Sequence, residues 1–274
     1  MTKLRHFKWF ETFEDYKEYM ENNPVLPNVS FVEDSVHYKK EEPSPEHDYS
    51  KDYFTIKCLS EGVITFTTTG EIPFEPEIKT IYYSRNNGES WETLTNIDSH
   101  IDVLEGDIII FRGNNETYDE YSFYCDAMIE IEGNIMSLIY GDDFKDKTTF
   151  PEGSTNNFHY LFNGCNITTA ENLILPVTTL TNGCYSYMFC DCYYMAKAPV
   201  LPADVLVQNS YYGMFNGCGS LNYIKCLATD ISADYCLDVW VNNVSELGVF
   251  VKHPDMNDWG DNIPEGWTIE DANI

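Results

Sequence analysis

Nine cysteines, six histidines and 45 acidic side chains are the groups of this sequence best equipped for chemistry. Cys190-Asp-Cys192 is a C-x-C pair with Cys184 close upstream. A structural zinc site asks for a second cysteine pair or for histidines at short spacing. Only His159 and His253 fall in this half of the chain, and no second pair accompanies them. Calcium prefers carboxylate-rich loops. Asp255, Asp258 and Asp261 lie near Asn257 and Asn262 without an EF-hand pattern, so an acidic solvated loop is the default and calcium is the one cation left open. Nucleophilic catalysis needs a Cys or Ser with a His and an orienting acid, and no local signature of that kind stands out. A glycosidase needs two facing carboxylates, which cannot be singled out among so many acids. Neither a P-loop nor a dinucleotide-binding glycine motif is present. The expectation is a protein without catalytic residues or cofactor.

The cysteines make better sense as positions in a repeat. Phe162-Asn-Gly-Cys165, Phe189-Cys-Asp-Cys192 and Phe215-Asn-Gly-Cys218 recur at spacings of 27 and 26 residues. Leu175, Leu201 and Leu227 are 26 residues apart each time, as are Cys184, Ser210 and Cys236. A unit of this length cannot bury its own apolar face, and stacking successive units builds a continuous core. The runs ending in Leu175, Leu201 and Leu227 are then expected as strands of a parallel ladder. The runs 182–189 and 209–215 are expected as helical or 3-10 returns. Cys165, Cys192 and Cys218 would line a buried corner, because an unpaired cysteine behaves as a small hydrophobe. Val249–Lys252 offers a last strand, with Trp259 and Trp267 closing the open end.

Upstream of the repeats the pattern changes. Residues 1–50 are expected to be an N-terminal segment and linker. Phe7, Phe10, Phe13, Tyr16 and Met20 recur at helical spacing behind Thr12, and a helix ending near Pro24 is predicted. Two short strands are predicted around Phe31 and Val36, then a charged, proline-containing linker over 39–51. Residues 51–140 read as a small β-sandwich. Its predicted strands are Tyr53–Leu59, Val63–Thr68, Lys79–Ser84, Trp91–Leu94, Asp107–Arg112, Met128–Ile131 and Ile135–Ile139. Residues 141–274 hold the repeats and their cap. The fold class expected is mainly β with short helices: an N-terminal segment, a small sandwich and a short solenoid.

Composition narrows the partners. A formal net charge of −29 repels phosphate backbones, which argues against nucleic acid. The N-terminal residues lack the apolar stretch of a signal peptide, and no apolar run is long enough to span a bilayer. A soluble product with no export signal of its own and no membrane insertion is expected. Tyr185, Tyr187, Tyr193, Tyr194, Tyr211 and Tyr212 crowd the repeats, and tyrosine gives large contact area at low entropic cost. These six are the candidate binding surface, for a protein or a glycan.

Two resemblances add to this reading. Ser84-Arg-Asn-Asn-Gly-Glu-Ser-Trp91 resembles the Asp-box hairpin of sialidase propellers, but one copy is found where a propeller needs several. The units Phe-x-x-Cys, Leu-Pro-x-x-x-Leu and Cys-Tyr-x-x-Met-Phe closely resemble BspA-like leucine-rich repeats of Bacteroidetes surface proteins, over about residues 155–274. The run from Phe7 to Asp34 resembles, more loosely, the start of appendage proteins of phages that infect those bacteria, including crAss-like phages. The resemblance implies adhesion or recognition and brings no catalytic residues. It implies a virion fibre or decoration protein assembled in the host cytoplasm. Residues 1–50 would face other virion proteins, and the repeats would face a host-surface protein or glycan. The alternative is a bacterial surface or secreted adhesin. A homo-oligomer is left open.

Overall fold

The computed structural model describes residues 47–66, 80–94, 100–118 and 122–274, together with the backbone of two strands near residue 33. The expected helix over Phe7–Met20 and most of the linker lie outside the described residues. The chain divides into two units, Met1–His47 and Asp48–Ile274. In the first unit, β1 (Val29–Val32) and β2 (Ser35–Tyr38) pair as an antiparallel hairpin, with Val32 opposite Ser35.

The second unit is mainly β. A ten-stranded mixed sheet runs in the order β15-β14-β13-β12-β11-β10-β3-β8-β5-β6. Its antiparallel part contains β3 (Phe54–Cys58), β5 (Ile81–Ser84), β6 (Glu92–Leu94) and β8 (Ile108–Gly113). Next to β3 lies β10 (Ile129–Asn134), antiparallel to β3 and parallel to β11 (Ile167–Ile174). From there β12 (Lys197–Leu201), β13 (Tyr223–Cys226), β14 (Val249–Lys252) and β15 (Thr268–Asp271) follow in parallel. A three-stranded sheet of β7 (Ile101–Val103), β4 (Gly62–Thr65) and β9 (Tyr124–Cys125) joins through Phe66, whose ring lies 5.3 Å from that of Phe111 on β8. The residues on either side of position 140 therefore share one sheet, and one hydrophobic core extends from Phe54 to Trp267.

The apolar run Ile135–Ile139 is not the predicted strand. It forms a single helical turn, α1 (Ser137–Tyr140). Periodicity cannot separate the two in a short run that is apolar on all sides. Asn134 decides it, because its side-chain oxygen accepts from the Met136 backbone N–H and bends the chain at the strand end. Ser137 fixes the turn: its hydroxyl donates to the Phe111 carbonyl and accepts from the Phe54 N–H, each at 2.9 Å.

The returns between parallel strands are neither α-helical nor 3-10. In the return that starts at Gly183, alternate backbone N–H groups take different partners. Those of Ser186, Met188, Cys190 and Cys192 bond three residues back within the turn. Those of Gly183, Tyr185, Tyr187, Phe189 and Asp191 bond carbonyls of the next turn, at 2.7–3.1 Å. Such a path needs a left-handed residue every fourth position. Tyr160, Tyr187, Gly213 and Val239 supply one column of them, with φ of 55°, 54°, 59° and 51°. Asn156, Gly183, Asn209 and Tyr235 form a second, and Gly164, Asp191, Gly217 and Asn243 a third. Stacking is thus secured by backbone hydrogen bonds on the return side as well as the strand side.

Inside the turns, equivalent side chains meet. The rings of Phe162, Phe189 and Phe215 stack at 5.5 and 5.7 Å, and Trp240 continues the column 6.1 Å from Phe215. The Cys192 thiol donates to the Phe162 carbonyl and the Cys218 thiol to the Phe189 carbonyl, each at 3.0 Å. Cys165, Cys192 and Cys218 are all buried at equivalent positions, as are Leu175 and Leu201. Leu227 departs from the expected alignment: Cys226 pairs with Leu201, and Leu227 is only half-buried. The register slips between Lys197 and Val200, around Pro199. Proline has no N–H for the ladder and favours a bulge. At the far end Trp259 stacks on Trp240 at 6.2 Å, and the indole N–H of Trp267 donates to the Ser245 carbonyl.

Candidate functional site

The six tyrosines separate into three environments. Tyr185 and Tyr211 are core residues, 1% and 0% exposed, and do not belong to a binding surface. They continue the column of Tyr118 and Phe158, whose ring stacks on Tyr185 at 6.0 Å, and neither the Tyr185 nor the Tyr211 hydroxyl finds a protein partner. Burial drives both hydroxyl pKa values far upward. The cause is the return geometry. A left-handed residue every fourth position turns the chain so that Cys184-Tyr185 and Met188-Phe189 fill the core while Tyr187 and Asp191 face outward.

Tyr187 and Tyr212 are half-buried and belong to a ridge of rings on the returns. Tyr160 stacks on Tyr187 at 4.5 Å with planes 11° apart, and Tyr212 meets Tyr187 at 5.1 Å. His159 packs edge-on to Tyr160 at 4.5 Å. Desolvation, then the bond to Tyr212, pushes the Tyr187 hydroxyl above its ordinary range. Tyr160 was not singled out from the sequence, and His159 was weighed there only as a metal ligand. Alignment of Tyr160 with Tyr187 across the repeat is the signal that could have found them.

Tyr193 and Tyr194 are exposed, at 61% and 49%. Their rings stand 5.3 Å apart and perpendicular, at the corner where the return leads into β12. The Tyr193 ring lies over Gly219 of the next turn. A Cβ at position 219 would sit 2.6 Å from that ring, so glycine is what lets the tyrosine sit there. Two residues before it, the exposed Asp191 lays its carboxylate over Gly217 in the same direction.

A separate groove of about 480 Å³ opens at the opposite corner, beyond the C-terminal ends of β12–β14. Pro202, Leu227, His253 and Ile274 line it together with Asp204, Thr229 and Asp255. Here the half-exposed Leu227 serves as a groove wall. The Thr229 hydroxyl donates to Asp204 across neighbouring turns.

The cysteines are positioned as core, not as reactive groups. All nine are buried and none forms a disulfide. Desolvation lifts the Cys58 thiol to about 11 and those of Cys125, Cys184 and Cys226 to about 12. A thiolate, the reactive form, is strongly disfavoured at each. Among the described residues, no group of three or more His, Cys, Asp or Glu side chains is gathered to hold a metal. Asp258 instead accepts from the Gly260 backbone N–H at 2.8 Å.

The hairpin between β5 and β6 has the turn chemistry expected of Ser84–Trp91. Ser84 Oγ accepts from the Gly88 N–H and Asn86 Oδ1 from the Ser90 N–H, while Asn87 and Gly88 take φ of 55° and 87°. The Arg112 guanidinium covers the Trp91 ring at 4.1 Å and pairs with Asp142, which also accepts from the Tyr53 hydroxyl. Tyr53 and Arg112 together hold the Asp142 carboxyl below its ordinary range. These groups satisfy one another, so the hairpin reads as a structural corner.

No family model matches this chain, and neither a curated protein nor a solved structure does. No helix among the described residues is long and apolar enough to cross a membrane.

Proposed function

We propose that this protein is a non-enzymatic recognition and structural module. Its C-terminal part works as a short solenoid of leucine-rich-repeat type, and the chain serves as a fibre or decoration protein of a phage particle. The observation that carries the reading is the turn-on-turn register of the returns. Backbone bonds at 2.7–3.1 Å fix each turn on the next, so surface side chains repeat as a rigid array. Rigid arrays suit binding, because little freedom is lost when a partner docks.

Two further observations support the setting. Nine buried thiols with no disulfide among them suit folding in a reducing compartment such as a host cytoplasm. Residues 1–47 cluster as their own unit, in keeping with an attachment role separate from the display role of the rest. A bacterial surface or secreted adhesin is the second reading, favoured by the resemblance of the repeats themselves.

Mass spectrometry of purified particles, alongside fractionated cell envelopes of uninfected bacteria, separates the two. The protein is expected in particles at structural copy number. Recovery from envelopes in the absence of any phage would replace the first reading by the second.

A further inference from the structure

We propose that Tyr193, Tyr194 and Asp191 form a binding site for the pyranose rings of a neutral glycan. The proposal rests on the recognition reading above and names the ligand class for one corner of that surface. Tyr193 presents a ring that is 61% exposed and seated against Gly219, where any side chain would collide with it. Tyr194 stands perpendicular to it at 5.3 Å and is 49% exposed. Floor and wall together make an open aromatic corner. Tyr185, Tyr211 and Tyr187 are spent on packing, the first two in the core and the third against Tyr160.

An exposed aromatic ring attracts the slightly positive C–H groups on one side of a pyranose, through the negative charge over its π-system. The hydroxyls at the sugar's rim then need acceptors. Asp191 is exposed, and its carboxylate lies over Gly217, two residues from the glycine under Tyr193. It sits on the same exposed corner two residues before Tyr193, where a sugar hydroxyl can donate to it, and charge-assisted bonds of this kind are the stronger ones. The same carboxylate, on a chain of net charge −29, repels uronic and sialic acids. Preorganisation lowers the entropic cost of binding, since the platform is set before the ligand arrives.

The test uses the full chain and a panel of neutral hexasaccharides (cello-, manno-, malto-, xylo- and chito-oligomers), with oligogalacturonate as the anionic control. Saturation-transfer NMR finds binders and calorimetry measures them. At least one neutral oligomer is expected to bind and oligogalacturonate to fail. Tyr193→Ala should weaken binding at least about tenfold, a loss of one stacked ring. Tyr193→Phe should stay within about twofold, because the ring and not the hydroxyl is used. Asp191→Asn should weaken binding several-fold. Both positions are exposed, and unchanged thermal melts exclude misfolding as the cause. No binding across the panel, or binding indifferent to Tyr193→Ala, overturns the proposal. If particle-borne protein adheres to host cells equally with and without Tyr193→Ala, the recognition reading stands and this site falls. If oligosaccharides bind at Tyr193 but the protein is absent from particles and envelopes alike, this site stands and that reading falls.

Discussion

Replacing Phe189 by alanine tests whether the stacked turns share one interior. The ring is fully buried and sits between two others, 5.5 Å from Phe162 and 5.7 Å from Phe215. Truncating a buried phenylalanine costs about 3–5 kcal/mol. Each lost ring pair adds roughly 0.5–1.5 kcal/mol beyond area burial, which places this site near the upper end. A loss of about 5 kcal/mol is expected. For a unit of this size each kcal/mol lowers the melting temperature by about 2–4 °C, so a drop of about 10–20 °C should follow. Differential scanning calorimetry gives the shift. Tryptophan fluorescence, dominated at the far end by Trp240 and Trp259, shows whether that end melts with the middle. Phe162→Ala combined with Phe189→Ala should be less than additive by about 0.5–1.5 kcal/mol, since the first change already removes the contact. Tyr124→Ala, on an exposed ring, is the control and should cost under about 0.5 kcal/mol. A cooperative transition shifted by less than about 4 °C, or full additivity of the pair, would refute a continuous aromatic column.

Two other outcomes follow from the returns and the thiols. Val239 is β-branched, exposed and left-handed at φ 51°. Val239→Asn should relieve about 1 kcal/mol of strain and raise the melting temperature by about 2–4 °C, and an unchanged or lower value counts against the left-handed column. Desolvation holds the Cys125, Cys184 and Cys226 thiols at about 12 against an ordinary 9.0. The folded state then keeps protons that the unfolded chain releases above about pH 9, so stability present below that pH is lost as pH rises. Each such thiol should contribute a fall of about 1.4 kcal/mol per pH unit, read as urea midpoints between pH 8 and 11. A flat profile, or rapid labelling of the native protein by Ellman's reagent at pH 8, would contradict a thiol-filled core.

The repeat was legible because identical side chains recur where the core needs them. Phe162, Phe189 and Phe215, with Cys165, Cys192 and Cys218, announce stacking from sequence and occupy equivalent buried positions in space. Three things stayed hidden for physical reasons. The inward direction of Tyr185 and Tyr211 follows from the left-handed residue at every fourth position, which tyrosine, asparagine, aspartate and glycine all occupy here. The offset at Leu227 arises from one residue, Pro199, that the ladder cannot hydrogen-bond. The joining of β10 to β11 is a long-range pairing choice, and no local pattern reports which strand edge another strand will find.

The same backbone path that hid the tyrosines also makes the candidate surface. A return of alternating bonds leaves every second N–H committed to the next turn, so the outward side chains cannot drift relative to one another. Left-handed positions project outward, and equivalent ones stack upon each other along the ladder. Where Tyr160 packs on Tyr187, the rings close that part of the surface. Tyr193, outside the left-handed columns, seats its ring against Gly219 of the next turn and stays 61% exposed. A packed ring thus holds the fold, and an exposed one is left for the proposed ligand. The substitution that most directly tests this is Gly219→Tyr, which should raise Tyr193 off its seat and abolish the proposed sugar binding in calorimetry without disturbing the Phe162–Phe189–Phe215 column.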